Sequence, residues 1–260
     1  MLIDANMVIG HYPFRKSENK TAAELVKLMD QYSVDKAVVS SLNGIYYRDV
    51  MEGNYELLDE IAPFKDRLIP ACVINPVYAD VLTDLNTCLK LGFRAIRLFP
   101  RQHGYPLDGP EAVAVLKAAA EYNLPVQLPV YLDDPRGRHP MDYMDPIGVD
   151  EIVNAAMLSL DTDIMINNGN HQSFAPKLSC LIRKGRICYD IGRTDCMNQT
   201  SFTELLEAAG ADHIVFGTGA PLQYIAVQQV KLAFMSRTAG LNEQQLEKIK
   251  SENAKEFFHL

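Results

Sequence analysis

The stretch Asn6-Met7-Val8-Ile9-Gly10, at the end of the first predicted strand, distinguishes between two folds built from alternating strands and helices. A doubly wound sheet that binds a dinucleotide carries a G-x-G-x-x-G loop at this point. This stretch contains a single glycine and no such loop. The open sheet is therefore disfavoured, and the sequence favours a closed barrel.

Eight short apolar or β-branched runs predict strands along the whole chain. Two of them, Lys36-Ala-Val-Val-Ser40 and His213-Ile-Val-Phe216, are continuous rather than alternating, which is typical of strands covered on both faces. The predicted strands span residues 2–8, 36–42, 68–75, 93–99, 125–131, 163–168, 186–191 and 213–217.

Helical periodicity fills the segments between these strands. Apolar residues at positions 25, 28, 29 and 32 follow the i, i+3, i+4, i+7 pattern, and Pro110 suits the first turn of a helix. Gly92, Gly185 and Gly210 are placed to end helices. Eight strand–helix units in about 250 residues are typical of a (β/α)8 TIM barrel, so we expect one α/β domain over residues 1–260.

Composition excludes several classes of protein. The 260 residues include 25 Lys and Arg against 33 Asp and Glu, a net charge of −8, which argues against nucleic-acid binding. Hydrophobic residues make up 48%, enough for a sizeable core. No apolar run approaches the roughly 20 residues of a membrane helix, and Met1-Leu2-Ile3-Asp4 does not resemble a signal peptide. A cytoplasmic protein is expected.

The five cysteines do not indicate a disulfide framework or a zinc–thiolate site. Their number is odd, they are scattered, and no C-x-x-C pair occurs. The chain also lacks a G-x-S-x-G nucleophile elbow and a Ser-x-x-Lys pair, so covalent catalysis has no support in the sequence.

The loops that follow the strands form the active-site face of such a barrel. Two of them are long, residues 100–108 and 132–148, and we expect the second to be a mobile lid over the mouth. Four histidines fall just beyond strand ends on this face: His11, His103, His139 and His171. Together they are weak evidence for a polar site.

Several strand residues are candidates for binding and catalysis. Arg97 lies late in the fourth strand and suits recognition of a carboxylate or phosphate, although a structural ion pair is an equal alternative. Neutral amides are expected to line the barrel at Asn6, Gln127, Asn167 and Asn168. Asp190 ends the seventh strand and is a candidate general base or partner of His171, with loop capping as the alternative.

The order of the motifs resembles the amidohydrolase-related family of TIM-barrel metal-dependent hydrolases. The resemblance rests on Leu2–Gly10, Arg67–Pro76, Gly92–Leu98, Gly217-Thr-Gly-Ala-Pro221 and Glu252-Asn253-Ala254. It implies metal-ligand positions at Asn6, Val8, Pro129, Asn167 and Gly219. None of these is a histidine or carboxylate, so we expect no cofactor and no divalent metal at the usual place. A site built from the rim histidines is a weaker alternative, because mobile loops hold metal geometry poorly.

The family resemblance and the substituted metal-ligand positions favour different functions. The family implies a hydrolase acting on a C–N or C–O bond of a small carboxylated substrate, here metal-independent or of reduced activity. The residues that remain also suit a non-catalytic barrel that binds a small anion. In both cases Arg97 is the expected anchor, and His11 and His103 are further binding candidates. The loop residues Arg101, Arg136, Arg138 and His171 are expected to close over the ligand. A decarboxylase with the usual metal is nearly excluded, and a homo-oligomer is expected from base rates only.

Overall fold

Eight parallel strands form one sheet in chain order in the computed structural model of the protein, which describes residues 1–134, 136–142, 145–170, 177, 181–182, 186–194 and 199–260. The strands are β1 Ile3–Ile9, β2 Lys36–Ser41, β3 Leu68–Ile74, β4 Ala95–Leu98, β5 Val126–Pro129, β6 Ile164–Asn167, β7 Ile187–Asp190 and β8 Ile214–Val215. Each pairs in parallel with the next. All eight predicted strands are confirmed.

The barrel is closed by hydrogen bonds between β1 and the segment that follows β8. The Ala5 amide donates to the Phe216 carbonyl and the Val8 amide donates to the Ala220 carbonyl, both at 2.9 Å. The Gly219 amide donates in return to the Asn6 carbonyl at 2.7 Å. The fold is therefore the predicted single (β/α)8 barrel.

Helices occupy the connections and cover the outside of the sheet. They are α1 Ala22–Gln31, α2 Leu42–Tyr46, α3 Val50–Ile61, α4 Val81–Leu91, α5 Pro100–His103, α6 Pro110–Glu121, α7 Val149–Leu158, α8 Gln199–Ala209, α9 Ile225–Thr238, α10 Glu243–Glu247 and α11 Asn253–Phe257. In the part of the chain that is described, no helix combines the length and the apolar character needed to cross a bilayer.

Local sequence explains where these helices begin and end. Thr21 and Glu24 form a capping box at the start of α1, and Pro110 occupies the first turn of α6 as predicted. Gly92 ends α4 with φ +89°, a conformation that glycine adopts without a steric penalty. Gly185 lies outside the described residues. The apolar faces of the helices pack on the sheet and bury the main core around the barrel.

Candidate functional site in the barrel interior

An irregularity in β1 shapes the interior of the barrel. Asp4 pairs with Ala37 but Met7 pairs with Val39, so β1 has one residue more than β2 over this section. Such a bulge leaves backbone groups outside the regular ladder. The carbonyls of Ala5 and Met7 consequently accept hydrogen bonds from side chains of other strands.

Asp190 at the end of β7 is the centre of a buried cluster of amides. Its Oδ2 accepts from Asn6 Nδ2 at 2.8 Å and from Asn167 Nδ2 at 3.0 Å. Its Oδ1 accepts from the backbone amides of Asn168 at 3.0 Å and Gly192 at 3.1 Å. A carboxylate has about four acceptor positions. Those of Asp190 are therefore all occupied by N–H donors.

The same contacts act on the pKa of Asp190. Burial raises the pKa of this carboxyl group, whereas the hydrogen bonds from Asn167, Asn168, Asn6 and Gly192 lower it. Each of these donors favours the ionised form. The pKa of Asp190 is therefore raised by burial, although its four hydrogen-bond donors are arranged to bind the ionised carboxylate.

Arg97 and Gln127 form a second buried group beside this cluster. Arg97 Nε and Nη2 donate to Gln127 Oε1 at 3.1 and 2.7 Å, and Nη1 donates to the Met7 carbonyl at 3.1 Å. Gln127 Nε2 donates to the Ala5 carbonyl at 2.6 Å. These contacts connect β4 and β5 to the irregular part of β1.

The charge of Arg97 is retained although its side chain is only 1% exposed. Burial lowers the pKa of its guanidinium to about 10, and the nearby charges of Asp190 and Asp4 act in the opposite direction. No carboxylate among the described residues lies within ion-pair distance of Arg97. Its hydrogen-bond acceptors among the described residues are neutral oxygens.

Asp4 is a titratable group that sequence reasoning missed. Its Oδ1 accepts from the backbone amides of Asn6 at 2.9 Å and Thr218 at 3.1 Å. Burial is the main cause that raises its pKa to about 7, opposed by hydrogen bonds from Thr218 and Asn6. The available signal was an acidic residue inside a mostly apolar strand, Ile3–Ile9.

The five positions that the family resemblance assigns to metal ligands hold a different arrangement. The side-chain nitrogens of Asn6 and Asn167 point at Asp190, and Val8 and Pro129 carry no donor atom. Gly219 has φ +76°, which a side chain tolerates poorly. Within the described ranges, no three His, Cys, Asp or Glu side chains are grouped so that they could hold a metal ion.

Two loops close the mouth above these groups. Tyr12, in the loop after β1, donates a short hydrogen bond from its hydroxyl to Asp142 in the loop after β5. Arg15 pairs with Asp133 at 3.1 Å and donates to the Leu222 carbonyl. A recess lined partly by Tyr131 and Asp142 has a volume of about 10 Å³, near the size of one water molecule. The described part of the loop over residues 132–148 therefore covers the mouth, and its mobility stays a prediction.

Aromatic rings support this closure. Phe14 lies edge-on to Tyr12 and Tyr46, with ring centroids 5.5 and 5.8 Å apart, and stacks on His139 at 6.4 Å. Burial raises the pKa of the hydroxyls of Tyr12 and Tyr46, which keeps both protonated. Nothing in the sequence predicts the contact between Tyr12 and Asp142, because these residues lie in two different loops.

The structure separates the remaining rim candidates from the interior group. Arg101 pairs with Glu151 of α7 at 2.5 Å. His103 Nε2 lies 3.1 Å from the Ile45 carbonyl, and burial lowers its pKa to about 4. His11 is exposed and lines a different recess, beside Lys20 and Asn43. His171 lies outside the described residues. The functional roles of all these residues stay predictions, as do those of the interior group.

Comparison with solved structures identifies similar complete barrels. The chain resembles 5-carboxyvanillate decarboxylase from Sphingomonas paucimobilis with a TM-score of 0.75, at 12% identity over 100% of this chain and 99% of that one. It resembles a probable 2-pyrone-4,6-dicarboxylic acid hydrolase from Acinetobacter baumannii, with citric acid bound, with a TM-score of 0.70, at 12% identity over 100% and 99%. These identities are low, so the likeness establishes the shared fold.

A third similar structure contains a metal. Dihydroxybenzoic acid decarboxylase from Polaromonas sp. JS666, with bound manganese and the inhibitor 2-nitroresorcinol, has a TM-score of 0.66, at 15% identity over 92% of this chain and 86% of that one. No curated protein matches the sequence.

The amidohydrolase family model matches residues 30–152, which run from α1 to the first turn of α7. This match, the order of the motifs and the closed barrel agree with one another. Over these residues the chain is similar to the amidohydrolase family, and the whole chain shares its barrel fold with the solved structures above.

Proposed function

We propose that this protein binds a small carboxylated molecule in its barrel without a divalent metal, and that it does not carry out metal-dependent hydrolysis. The observation that carries the proposal is the environment of Arg97, a buried guanidinium bonded to neutral oxygens. The other contacts inside the barrel argue against a bound divalent metal and against a general base that is free to accept a proton.

The donor set in the barrel does not fit a divalent metal. Divalent metals bind ionised carboxylate oxygens or lone pairs of neutral imidazole. Here Asn6 and Asn167 present N–H groups to Asp190, a carboxylate near the family's metal positions. A cation placed there would meet the positive ends of those amides and would have to displace hydrogen bonds already made.

Metal-independent hydrolysis of a C–N or C–O bond would need a free base or nucleophile. Asp190 has no acceptor position left, so accepting a proton from water or substrate would require loss of a buried hydrogen bond. Burial raises the pKa of Asp4 to about 7, and its Oδ2 has no hydrogen-bond partner among the described residues, but its side chain is fully enclosed and its Oδ1 accepts from two backbone amides. We therefore favour binding over hydrolysis.

Arg97 retains capacity for one anionic ligand. A guanidinium carries five N–H groups, and three of those in Arg97 donate to Gln127 and Met7. Each Nη nitrogen keeps one N–H for which the described residues supply no acceptor. Two N–H groups on adjacent nitrogens match the two oxygens of a carboxylate. The similar barrel with citric acid bound supports this class of ligand.

Entry of such a ligand requires the mouth to open. Tyr12 and Asp142 join the two covering loops, and the recess beside them is too small for an organic acid. The proposal includes opening of this contact, with Arg101, His11, His103 and His171 kept as predicted contributors. A cytoplasmic location also remains a prediction of the sequence.

A thermal-shift screen tests the proposal. Citrate, smaller mono- and dicarboxylates and inorganic phosphate are compared on wild type, Arg97→Met and Arg94→Met. Arg94 is exposed, lies three residues before Arg97 and is the matched control. We expect a carboxylate to raise the melting temperature of wild type and Arg94→Met, and the affinity to fall about 10- to 150-fold in Arg97→Met. Equal binding to both variants contradicts the proposal.

A further inference from the structure

Three sulfur-bearing side chains lie together outside the barrel, between strand β3 and helices α3 and α4. Cys88 Sγ lies 3.7 Å from Met51 Sδ. Burial is the main cause that raises the pKa of the Cys72 thiol, and a hydrogen bond with the Cys88 side chain adds to it. We call Met51, Cys72 and Cys88 the sulfur cluster. The fold therefore groups three sulfur atoms whose spacing in the sequence gives no metal-binding motif.

The sulfur cluster is held by regular elements and enclosed by the core. Cys72 belongs to β3, Met51 to the first turn of α3 and Cys88 to α4. Both cysteines are 0% exposed, and Met51 is 5% exposed. Ligands carried by strands and helices are positioned more precisely than ligands carried by loops. The relative positions of the three sulfur atoms are therefore set by the packing of α3 and α4 on β3.

The spacing of the sulfur atoms matches that of two ligands on one metal ion. A metal–sulfur bond is about 2.3 Å long, so two sulfur atoms on one tetrahedral or trigonal ion lie roughly 3.7–4.0 Å apart. The distance of 3.7 Å between Cys88 Sγ and Met51 Sδ falls in this range. Binding of an ion by both atoms would therefore require little rearrangement of the core.

An amide group is directed at the same sulfur atoms. Asn54 Nδ2 lies 3.5 Å from Met51 Sδ and 3.8 Å from Cys88 Sγ. The amide is held in this orientation because it also exchanges two hydrogen bonds with the backbone of Val73, at 2.8 and 2.9 Å. An N–H group beside a sulfur favours the thiolate, which is the form of cysteine that binds metals. Apolar packing alone would not require this donor.

Three carboxylates surround the surface side of the sulfur cluster. Asp84 lies one turn before Cys88 on the same face of α4. Asp49 Oδ1 accepts from the Met51 amide at 2.9 Å. Burial raises the pKa of Asp84, and the charges of Asp49 and Asp80 raise it further, so the three carboxylates are neighbours. Within the described ranges none of them forms an ion pair. Their field attracts cations to this part of the surface.

We propose that the sulfur cluster binds one soft monovalent metal ion, Cu(I), at a site separate from the barrel interior and Arg97. Thiolate and thioether ligands select Cu(I), whereas Mg²⁺ and Ca²⁺ require oxygen ligands. Cu(I) replaces the proton of the Cys88 thiol, so the buried site stays neutral. Met51 supplies a thioether. Cys72 supplies a third sulfur and keeps its proton, which it donates to the Ala95 carbonyl at 3.5 Å.

Anaerobic titration with Cu(I), in competition with the chromophoric chelator bicinchoninate, tests this inference. Wild type is expected to take one Cu(I) per chain from the chelator. Met51→Leu keeps every thiol and should weaken binding at least about 10-fold, because even the loss of a residue that only supports a metal ligand has this effect. Cys88→Ser should weaken it further. Cys188→Ser, at a buried cysteine of β7, is the control and should bind like wild type. Circular dichroism establishes that each variant is folded.

X-ray absorption at the copper edge identifies the ligands in the loaded wild type. We expect two or three sulfur atoms at about 2.3 Å and no nitrogen or oxygen ligand. Failure of wild type to take up Cu(I), binding that is unchanged in both Met51→Leu and Cys88→Ser, or binding that is lost in Cys188→Ser overturns the inference. A one-to-one complex with sulfur ligands that is weakened in Met51→Leu and retained in Cys188→Ser establishes it.

Discussion

Asn6 Nδ2 lies 2.8 Å from Asp190 Oδ2 and joins the first strand of the barrel to the seventh. The resemblance to metal-dependent hydrolases places a metal-binding histidine at position 6. The amide that stands there donates a hydrogen bond to the neighbouring carboxylate. This relationship makes Asp190 a cross-strand acceptor, which favours a structural role over that of a base.

Asp190→Asn is expected to destabilise the protein. The new side-chain nitrogen would face the N–H groups of Asn6 and Asn167, which then lose their acceptor in a buried site. An unsatisfied buried donor costs about 1–3 kcal/mol. For a chain of this size, each kcal/mol corresponds to a fall in melting temperature of about 2–4 °C. Differential scanning calorimetry measures the change.

Asp161→Asn is the control for this substitution, because the Asp161 side chain is 88% exposed. Its melting temperature should match that of wild type. An Asp190→Asn variant as stable as wild type would show that the four donors do not depend on the charge of Asp190, and would reopen its assignment as a base.

Asp4 predicts a dependence of stability on pH. The folded state retains a proton on Asp4 up to about pH 7, whereas the unfolded chain releases it near the ordinary value of 3.8. Between these values the folded state binds more protons. The free energy of unfolding therefore falls as pH rises through this window, by up to about 1.4 kcal/mol per pH unit. The raised pKa of Asp190 contributes in the same direction.

Asp4→Asn removes the first of these contributions while keeping an oxygen for the amides of Asn6 and Thr218. Urea unfolding at pH 5 and pH 8 should give a smaller difference between the two pH values for the variant than for wild type. The variant should also gain stability relative to wild type at pH 8. An equal pH dependence in both proteins would place the pKa of Asp4 near its ordinary value.

Tyr12→Phe is expected to loosen the cover of the mouth. It removes the donor to Asp142, whose side chain is buried, and leaves that carboxylate without this bond. We expect a loss of about 1–3 kcal/mol in stability. Hydrogen exchange should also become faster in residues 136–142.

Tyr47→Phe provides the matched control, because the Tyr47 hydroxyl donates to Glu56 at the surface. Its exchange in residues 136–142 should equal that of wild type. If Tyr12→Phe also leaves this exchange unchanged, other contacts hold the loop closed and the Tyr12–Asp142 bond is not the latch.

The fold could be predicted because barrel strands carry a local signal. Continuous apolar runs such as residues 36–40 mark strands covered on both faces, and periodic helices separate them. The eight strands occur where they were predicted, with ends shifted by up to a few residues. The shortest, β8, has two residues, because the chain continues to β1 through the contacts of Phe216 and Ala220.

The candidate site was only partly predictable. The position of Arg97 late in its strand predicts a guanidinium directed into the barrel, and neutral amides were expected to line it at Asn6 and Asn167. That both amides donate to Asp190 was not predicted. The sequence does not show that Arg97 bonds to the Met7 carbonyl, because that depends on the bulge in β1. Long-range pairs such as Tyr12 with Asp142 depend on loop conformation, for which spacing gives no rule.

Calorimetric titration of citrate into the protein, before and after a chelator removes metals, distinguishes metal-independent binding at Arg97 from metal-dependent binding. We expect the same affinity in both preparations of wild type, and an affinity about 10- to 150-fold lower in Arg97→Met, because a charged hydrogen bond at a buried anchor is lost. Binding of citrate that disappears when metals are removed, or that is equal in wild type and Arg97→Met, would contradict this expectation.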